Sequence, residues 1–341
     1  MKRILIIGGL LTAFGVNAQV DINGGPTNVP VEGVIDGVVM KEIIPTKRMI
    51  PYEFVREADM MWSKRIHRYI DKREKQNLTL FYPNDLITDG AEIGTTNWIK
   101  NSSRYSLWTI IRENIIKGNL TVYYPYNTLY ESMRDGDQLK YPLEIKRNTA
   151  IPFEKDEAFR KILVDAKMFG IVDESAPLEE IPDPNNPDEP LMELDPVTGV
   201  MAIKYYDRPI KYIMSQDIAR YHVKEDWFFD KERSVLDVRI IAIAPVVLDL
   251  SSNTYRELFW LYFPECRFVF NNYYTYNTKN DSQWMSFDDY FWKRQFTSTI
   301  YKQSDVFDRT IEQYRYGIDA LIESQKITED IRTFENDLWH F

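Results

Sequence analysis

The chain has 341 residues, 14% of them aromatic, with 42 Lys and Arg against 52 Asp and Glu, a formal net charge of −10. That balance argues against nonspecific binding to nucleic acid or anionic membrane, because both need concentrated positive charge. The length permits one large domain or two ordinary ones. The single cysteine, Cys266, excludes an internal disulfide and leaves stability to packing or assembly.

Residues 1–18 read as a signal peptide. Lys2 and Arg3 form its charged start, and Ile4 to Phe14 is an apolar run too short to span a bilayer. Val16-Asn17-Ala18 supplies small residues at the cleavage site, so Gln19 is the expected mature N-terminus. No cysteine stands there to carry a lipid, and no later stretch is apolar enough to cross a membrane. Residues 19–51 are broken by Gly24, Gly25, Gly33, Gly37, Pro26, Pro30, Pro45 and Pro51 and read as an extended arm. Its apolar residues, Val34, Ile35, Val38 and Val39 among them, are expected to lie against a neighbouring subunit.

Residues 52–341 read as an α+β core. A helix is expected from about Arg56 to Lys75, with Ala58, Met61, Trp62, Ile66, Tyr69 and Ile70 on one face. Its other face is basic, with Lys64, Arg65, Arg68, Lys72 and Arg73. Such runs are usually solvated; the alternative is an electrostatic contact to an acidic neighbour, and Lys64, Arg65, Arg68 and Lys72 are the interface candidates. Asn77-Leu-Thr-Leu-Phe-Tyr-Pro83 follows and returns as Asn119-Leu-Thr-Val-Tyr-Tyr-Pro125, with five of seven positions identical. Trp62 stands 15 residues before the first copy and Trp108 stands 11 before the second, a difference of about one helical turn. This pattern predicts a duplicated helix-strand unit, with strands at Leu78–Tyr82 and Leu120–Tyr124. Leu78, Leu80, Leu120 and Val122 are the expected core residues. In the second unit the helix begins near Ser106 and stops at Gly118.

A further helix is expected over 155–169. Asp173 to Pro196, with six prolines, nine acids and no Lys or Arg, reads as an exposed acidic loop without packed elements. Ser234–Leu250 and Arg256–Asn271 alternate as strands and predict a long antiparallel hairpin turning at 251–254, with a bulge at Pro264-Glu265. Cys266, among phenylalanines, reads as a buried apolar residue. The end of the chain is expected to be helical: one helix over 289–301, then C-terminal helices within 304–341 capped by Ser304 and Thr328 and docked on the core, the alternative being helices free to grip a partner.

The chemical motifs are sparse. His67, His222 and His340 stand in no zinc-binding spacing, and no nucleophile elbow, phosphate-cradling loop or dinucleotide fingerprint occurs. His67 reads as a surface or interface residue. Asp183, Asn185, Asn186, Asp188 and Glu189, and the Asp135-Gly-Asp137 turn, lack the oxygen spacing of a calcium loop. Glu225-Asp-Trp-Phe-Phe-Asp-Lys-Glu-Arg233 is the one segment dense in both carboxylates and aromatics. It reads as a strand or turn with paired charges; the alternative is a periplasmic carbohydrate-active enzyme or binding protein with a carboxylate pair. No catalytic residue, cofactor or metal is expected.

Several long strings resemble one family. Arg56-Glu-Ala-Asp-Met-Met-Trp-Ser-Lys-Arg65, Ile70-Asp-Lys-Arg-Glu-Lys75 and Phe81-Tyr-Pro83 are similar to a first signature of the gliding-motility GldN family, called PorN in nonmotile relatives. Trp227-Phe-Phe-Asp-Lys-Glu-Arg-Ser-Val-Leu-Asp-Val-Arg-Ile-Ile241 resembles a second. Leu258–Arg267 and Ser286–Arg294 resemble two more, so the likeness runs from about Tyr52 to the C-terminus. The resemblance implies a non-enzymatic periplasmic ring subunit of the type IX secretion system. The implied partners are the lipoprotein GldK (PorK), neighbouring copies in a ring under the outer membrane, and the inner-membrane motor proteins GldL and GldM.

Overall fold

The structure is a computed structural model that describes residues 49–87, 98–99, 104–125, 136–143, 168–172, 177–178, 180–183, 186–194, 201–206, 210–249, 253–280 and 285–338. The expected signal peptide, most of the arm including Val34, Ile35, Val38 and Val39, and the expected helix up to residue 167 lie outside them.

An eight-stranded antiparallel sheet organises the described core. Its strands are β1 (Met60–Asp71), β2 (Val122–Tyr123), β3 (Pro142–Leu143), β4 (Ile218–Asp230), β5 (Val235–Asp249), β6 (Thr254–Glu257), β7 (Trp260–Tyr262) and β8 (Thr299–Gln303). They stand in the order β8-β1-β4-β5-β7-β2-β3, with β6 also paired to β5. The long hairpin is β4–β5, from Ile218 opposite Val247 to Asp230 opposite Val235. The turn expected at 251–254 also forms a hairpin, β5–β6, where Asp249 faces Thr254.

The largest departure from the sequence reading is β1. The expected basic helix over 56–75 is a 12-residue strand, preceded by a short 3-10 turn at Glu57–Asp59. Strand alternation, not helical spacing, divides its side chains. Ile66, Arg68 and Ile70 point to the face covered by helices, while His67, Tyr69 and Asp71 point to the opposite face. All of these but Tyr69 are buried, which requires a central strand with both faces covered. β1 is held by β4 on one side and β8 on the other.

The two copies of the Asn-Leu-Thr segment also differ. The first forms a single helical turn, α1 (Leu78–Phe81), and the second ends in β2, so the duplicated helix-strand unit is not formed. Tertiary hydrogen bonds decide the first case. Buried Asn77 donates to the carbonyls of Asp71 and Thr297 and accepts from the Thr297 N–H, which folds the chain back after β1. Leu80, Leu120 and Val122 are buried as expected, but Leu78 is exposed.

Helix α2 (Leu107–Ile116) matches its expected limits. The Ser106 hydroxyl accepts from the Thr109 N–H at 3.2 Å, and Gly118 follows the helix at φ 77°, where an L side chain would be strained. Every residue of α2 but Glu113 is buried. It packs with α1, α3 (Phe263–Phe270) and α4 (Phe287–Trp292) in one continuous apolar cluster on the inner sheet face, which includes Ile70, Tyr221, Val223, Ile243 and Val247. Burying each such side chain contributes about 1.5–3 kcal/mol. The second half of the expected 256–271 strand is α3, because Pro264 sits in the first turn of a helix instead of at a bulge. Cys266 is buried there, and burial pushes its thiol up.

The expected 289–301 helix is shorter: α4 ends at Trp292 and the chain returns as β8. The C-terminal helices are one helix, α5 (Ile318–Leu338), after a 3-10 turn at Ile311–Gln313. Thr328 lies inside it and donates to the Ser324 carbonyl. The helix is docked as expected: Ile327 and Ile331 meet Ile66, Ile300 and Ile311, and Phe334 stacks on Trp62 at 4.6 Å. Within the acidic segment the described residues form short antiparallel pairs, 182–183 with 186–190 and 192–194 with 201–203, so that stretch does carry regular structure.

Candidate functional site

The Glu225–Arg233 segment spans the end of β4 and the turn into β5. Adjacent strand residues face opposite ways, so Glu225 and Asp226 cannot act as one carboxylate pair. Glu225 is fully buried and lies 3.2 Å from Arg68 and 2.8 Å from Arg294. It also accepts from the Trp227 indole at 3.1 Å. Asp226 takes a two-point contact from Arg65 at 2.7 and 2.8 Å, and Asp230 accepts from Arg233 at 2.8 Å. These carboxylates hold their own chain, as the paired-charge reading expects. The alternative of an open carboxylate pair receives no support from this geometry.

On the outer sheet face β1 and β4 carry a second set of polar contacts. His67 is buried, not on a surface, and its Nε2 lies 3.0 Å from Asp137. Its Nδ1 has no hydrogen-bond partner, which suits a neutral ring donating from Nε2 and presenting only a lone pair at Nδ1. Burial pushes the His67 pKa down, against the pull of Asp137. Burial also pushes the Asp137 carboxyl up, but His67, Lys224 and Lys302 outweigh it and hold it at about 2. His222 bonds Glu257 at 2.7 Å, and Glu257 accepts from Trp260 at 3.0 Å. The Tyr301 ring contacts both histidines, 4.6 Å from His222 and 5.9 Å from His67. At the end of β1, Asp71 accepts from both Arg73 and Arg220. Among the described residues no group of three His, Cys, Asp or Glu is placed to hold a metal ion.

The third cluster is a cleft of about 360 Å³ between the start of β5, α4 and residues 50–53. Arg267 makes a buried pair with Asp288 at 2.7 and 3.1 Å. Its guanidinium lies 4.3 Å from the Tyr52 ring and 4.8 Å from the Trp292 ring, and the two rings are 5.5 Å apart. It also donates to the Ile50 carbonyl at 2.7 Å, while Arg239 donates to the Glu53 carbonyl. Arg233 pairs with the Glu53 side chain. Burial pushes the Tyr52 hydroxyl up to about 12, against Arg267 and Arg239. Sequence reading missed this cleft. Arg239 lies 186 positions from Glu53 and Arg267 lies 217 from Ile50, and the arm boundary at residue 51 separated Ile50 from Tyr52. The one signal was that Arg239, Arg267 and Asp288 all fall in family-like strings.

The interface candidates on β1 are dispersed by strand alternation. Arg65 is exposed but paired with Asp226, and Lys64 is half-buried. Lys72 donates to the Gln216 carbonyl at 2.9 Å and lies 5.4 Å from the Tyr82 ring. Arg68 is buried against Glu225, so the expected continuous basic face does not form. No helix among the described residues is long and apolar enough to cross a membrane.

A covered antiparallel sheet with packed helices, its described charged clusters tying strands and chain segments together, defines an α+β protein. A family model described as gliding motility associated protein GldN matches residues 55–340, and the chain belongs to that family, a component of gliding motility and not a known enzyme family. A search of curated proteins finds no significant match.

Proposed function

We propose that the chain is a non-enzymatic, periplasmic ring subunit of the type IX secretion and gliding-motility machinery. It assembles with neighbouring copies and with the lipoprotein GldK (PorK), which ties it to the inner face of the outer membrane. The inner-membrane motor proteins GldL and GldM engage the assembly. Membership of the GldN family over residues 55–340 is the observation that carries this reading. Two structural features support it. The carboxylates that an enzyme would present are tied to arginines within the chain. The apolar side chains Val306, Phe307, Tyr316, Ile318 and Ile322 are 97%, 72%, 78%, 75% and 56% exposed, a concentration typical of surfaces that meet other proteins. Val34, Ile35, Val38 and Val39 of the arm, Lys64 and Arg65 of β1, and Lys72 in the turn after it remain proposed contact residues; Arg68 is withdrawn because it is buried.

The test is the mass of the mature chain with and without the lipoprotein. Large particles containing both proteins are expected. A compact monomer that ignores the lipoprotein would sink the proposal.

A further inference from the structure

Strand β5 has strand neighbours on both edges only in its second half. Its first half pairs with β4, from Val235 opposite Asp230 to Ile240 opposite Glu225. On the other edge the described partners begin at Ala242, with β7, and at Val246, with β6. Residues 235–241 therefore present an edge about 23 Å long that no described strand covers. Alternation fixes which main-chain groups face it. The Ser304 N–H donates to the Arg65 carbonyl, so Arg65 faces β8 while Lys64 and Ile66 face β4. Carried through the register of β4, this turns Asp237 and Arg239 toward β4, and Leu236, Val238 and Ile240 toward the open edge. The Val238 N–H agrees, because it donates to the carboxylate of the preceding Asp237 at 2.8 Å and not to a strand. Ile240 is 5% exposed, and a buried main-chain group with no partner is costly.

The 360 Å³ cleft runs along this edge. Residues 236–240 all line it, although neighbouring strand side chains point opposite ways, so it follows the main chain. Phe263, Phe291 and Trp292 give it apolar walls. The Nε of Arg239 finds no hydrogen-bond acceptor there.

We propose that the open edge of β5 takes an added strand from the same chain's arm, formed by residues 34–40. The described chain begins at Met49, and Ile50 lines the cleft, so the arm arrives at its mouth. Residues 41–49 span up to about 30 Å, which exceeds the length of the edge and lets the chain turn back along it. Val34, Ile35, Val38 and Val39 are β-branched and suit a strand. Alternation puts Ile35 and Val39 on one face and Val34, Asp36 and Val38 on the other. With Ile35 and Val39 against the aromatic walls, Asp36 falls on the side of Arg239, whose guanidinium favours a carboxylate. The tether gives the arm an effective concentration on the order of millimolar, which favours it over a segment from another molecule. Val34 and Val38 stay on the face away from the helices, where a neighbouring copy can reach them.

The test is amide hydrogen exchange, read at single residues, on the chain from Gln19 to Phe341 without any partner. Slow exchange is expected at Leu236 and Ile240. Ile35→Asp with Val39→Asp should speed it about tenfold or more while Ile243 keeps its parent rate, and Val34→Asp with Val38→Asp should leave it unchanged. Circular dichroism checks that both variants fold. Fast exchange at Leu236 and Ile240 in the parent would mean that nothing pairs with the edge, and the proposal fails. Slow exchange that neither pair of substitutions alters, or that both alter equally, would mean that the arm does not add as this strand. Protection lost on dilution would assign the strand to a second copy and overturn the assignment to the same chain. Because the lipoprotein is absent throughout, failure here is separable from failure of ring assembly.

Discussion

Neutralising Glu225 should cost far more than removing an exposed ion pair. Its carboxylate is fully buried, and the Arg68 side chain opposite is 10% exposed. Glu225→Gln keeps the acceptor for the Trp227 indole but leaves Arg68 charged and uncompensated on the inner face. Breaking a buried pair in this way costs about 3–5 kcal/mol. Arg294 is 34% exposed and recovers water, so most of the loss falls on Arg68. The lower end, about 3 kcal/mol, is therefore expected, which lowers the urea midpoint by roughly 1 M. Adding Arg68→Met removes the stranded charge and keeps an apolar stem of similar length. The double variant should regain at least about 2 kcal/mol relative to additivity. The assay is equilibrium urea unfolding of the four proteins in the cycle. A Glu225→Gln midpoint within error of the parent, or a strictly additive double variant, would refute the reasoning and return Glu225 to consideration as a functional carboxylate.

Other perturbations read other parts of the fold. Asp137 has a folded pKa of about 2 against an ordinary 3.8, so its contribution is present above pH 4 and is lost as pH falls toward 2. Asp137→Asn should flatten the acid limb of stability between those values, and an unchanged limb would remove the carboxylate from the account. Ser324→Ala strips the hydroxyl that accepts from the Ile300 N–H at 3.0 Å. About 1–2 kcal/mol and faster hydrogen exchange at Ile300 are expected, and unaltered exchange would count against the docked position of α5. Gly118→Ala meets nothing within 4 Å but must adopt φ 77°. A cost of about 1 kcal/mol is expected from backbone strain alone, and a neutral result in thermal unfolding would mean the turn relaxes.

The sequence was most legible where local signals and tertiary packing agree. Ser106 and Gly118 bound α2 correctly, and the alternation of Val238 to Ala244 marked β5. β1 was misread because Trp62, Ile66, Tyr69 and Ile70 also fit helical spacing, and its Lys and Arg are good helix formers. The deciding residue was Arg68, a charge at a buried strand position, which breaks the apolar alternation that would have revealed the strand. Only the fold supplies its partner, Glu225, 157 positions away. The Asn-Leu-Thr copies misled for a related reason: near-identical residues take different shapes because Asn77 bonds to Thr297 while Asn119 bonds to Asn114. The paired character of the Glu225–Arg233 charges was legible, but the cleft beside residues 50–53 was not, since no local pattern links Tyr52 to Arg239, Arg267 and Trp292.

The most direct test of the scaffold reading is single-particle imaging of the complex purified through the lipoprotein. The account predicts closed particles in which this chain repeats around an axis, with residues 50–53 seated beside Arg239 and Arg267 in every copy. Particles containing a single copy, or a chain that copurifies with no lipoprotein at all, would contradict it.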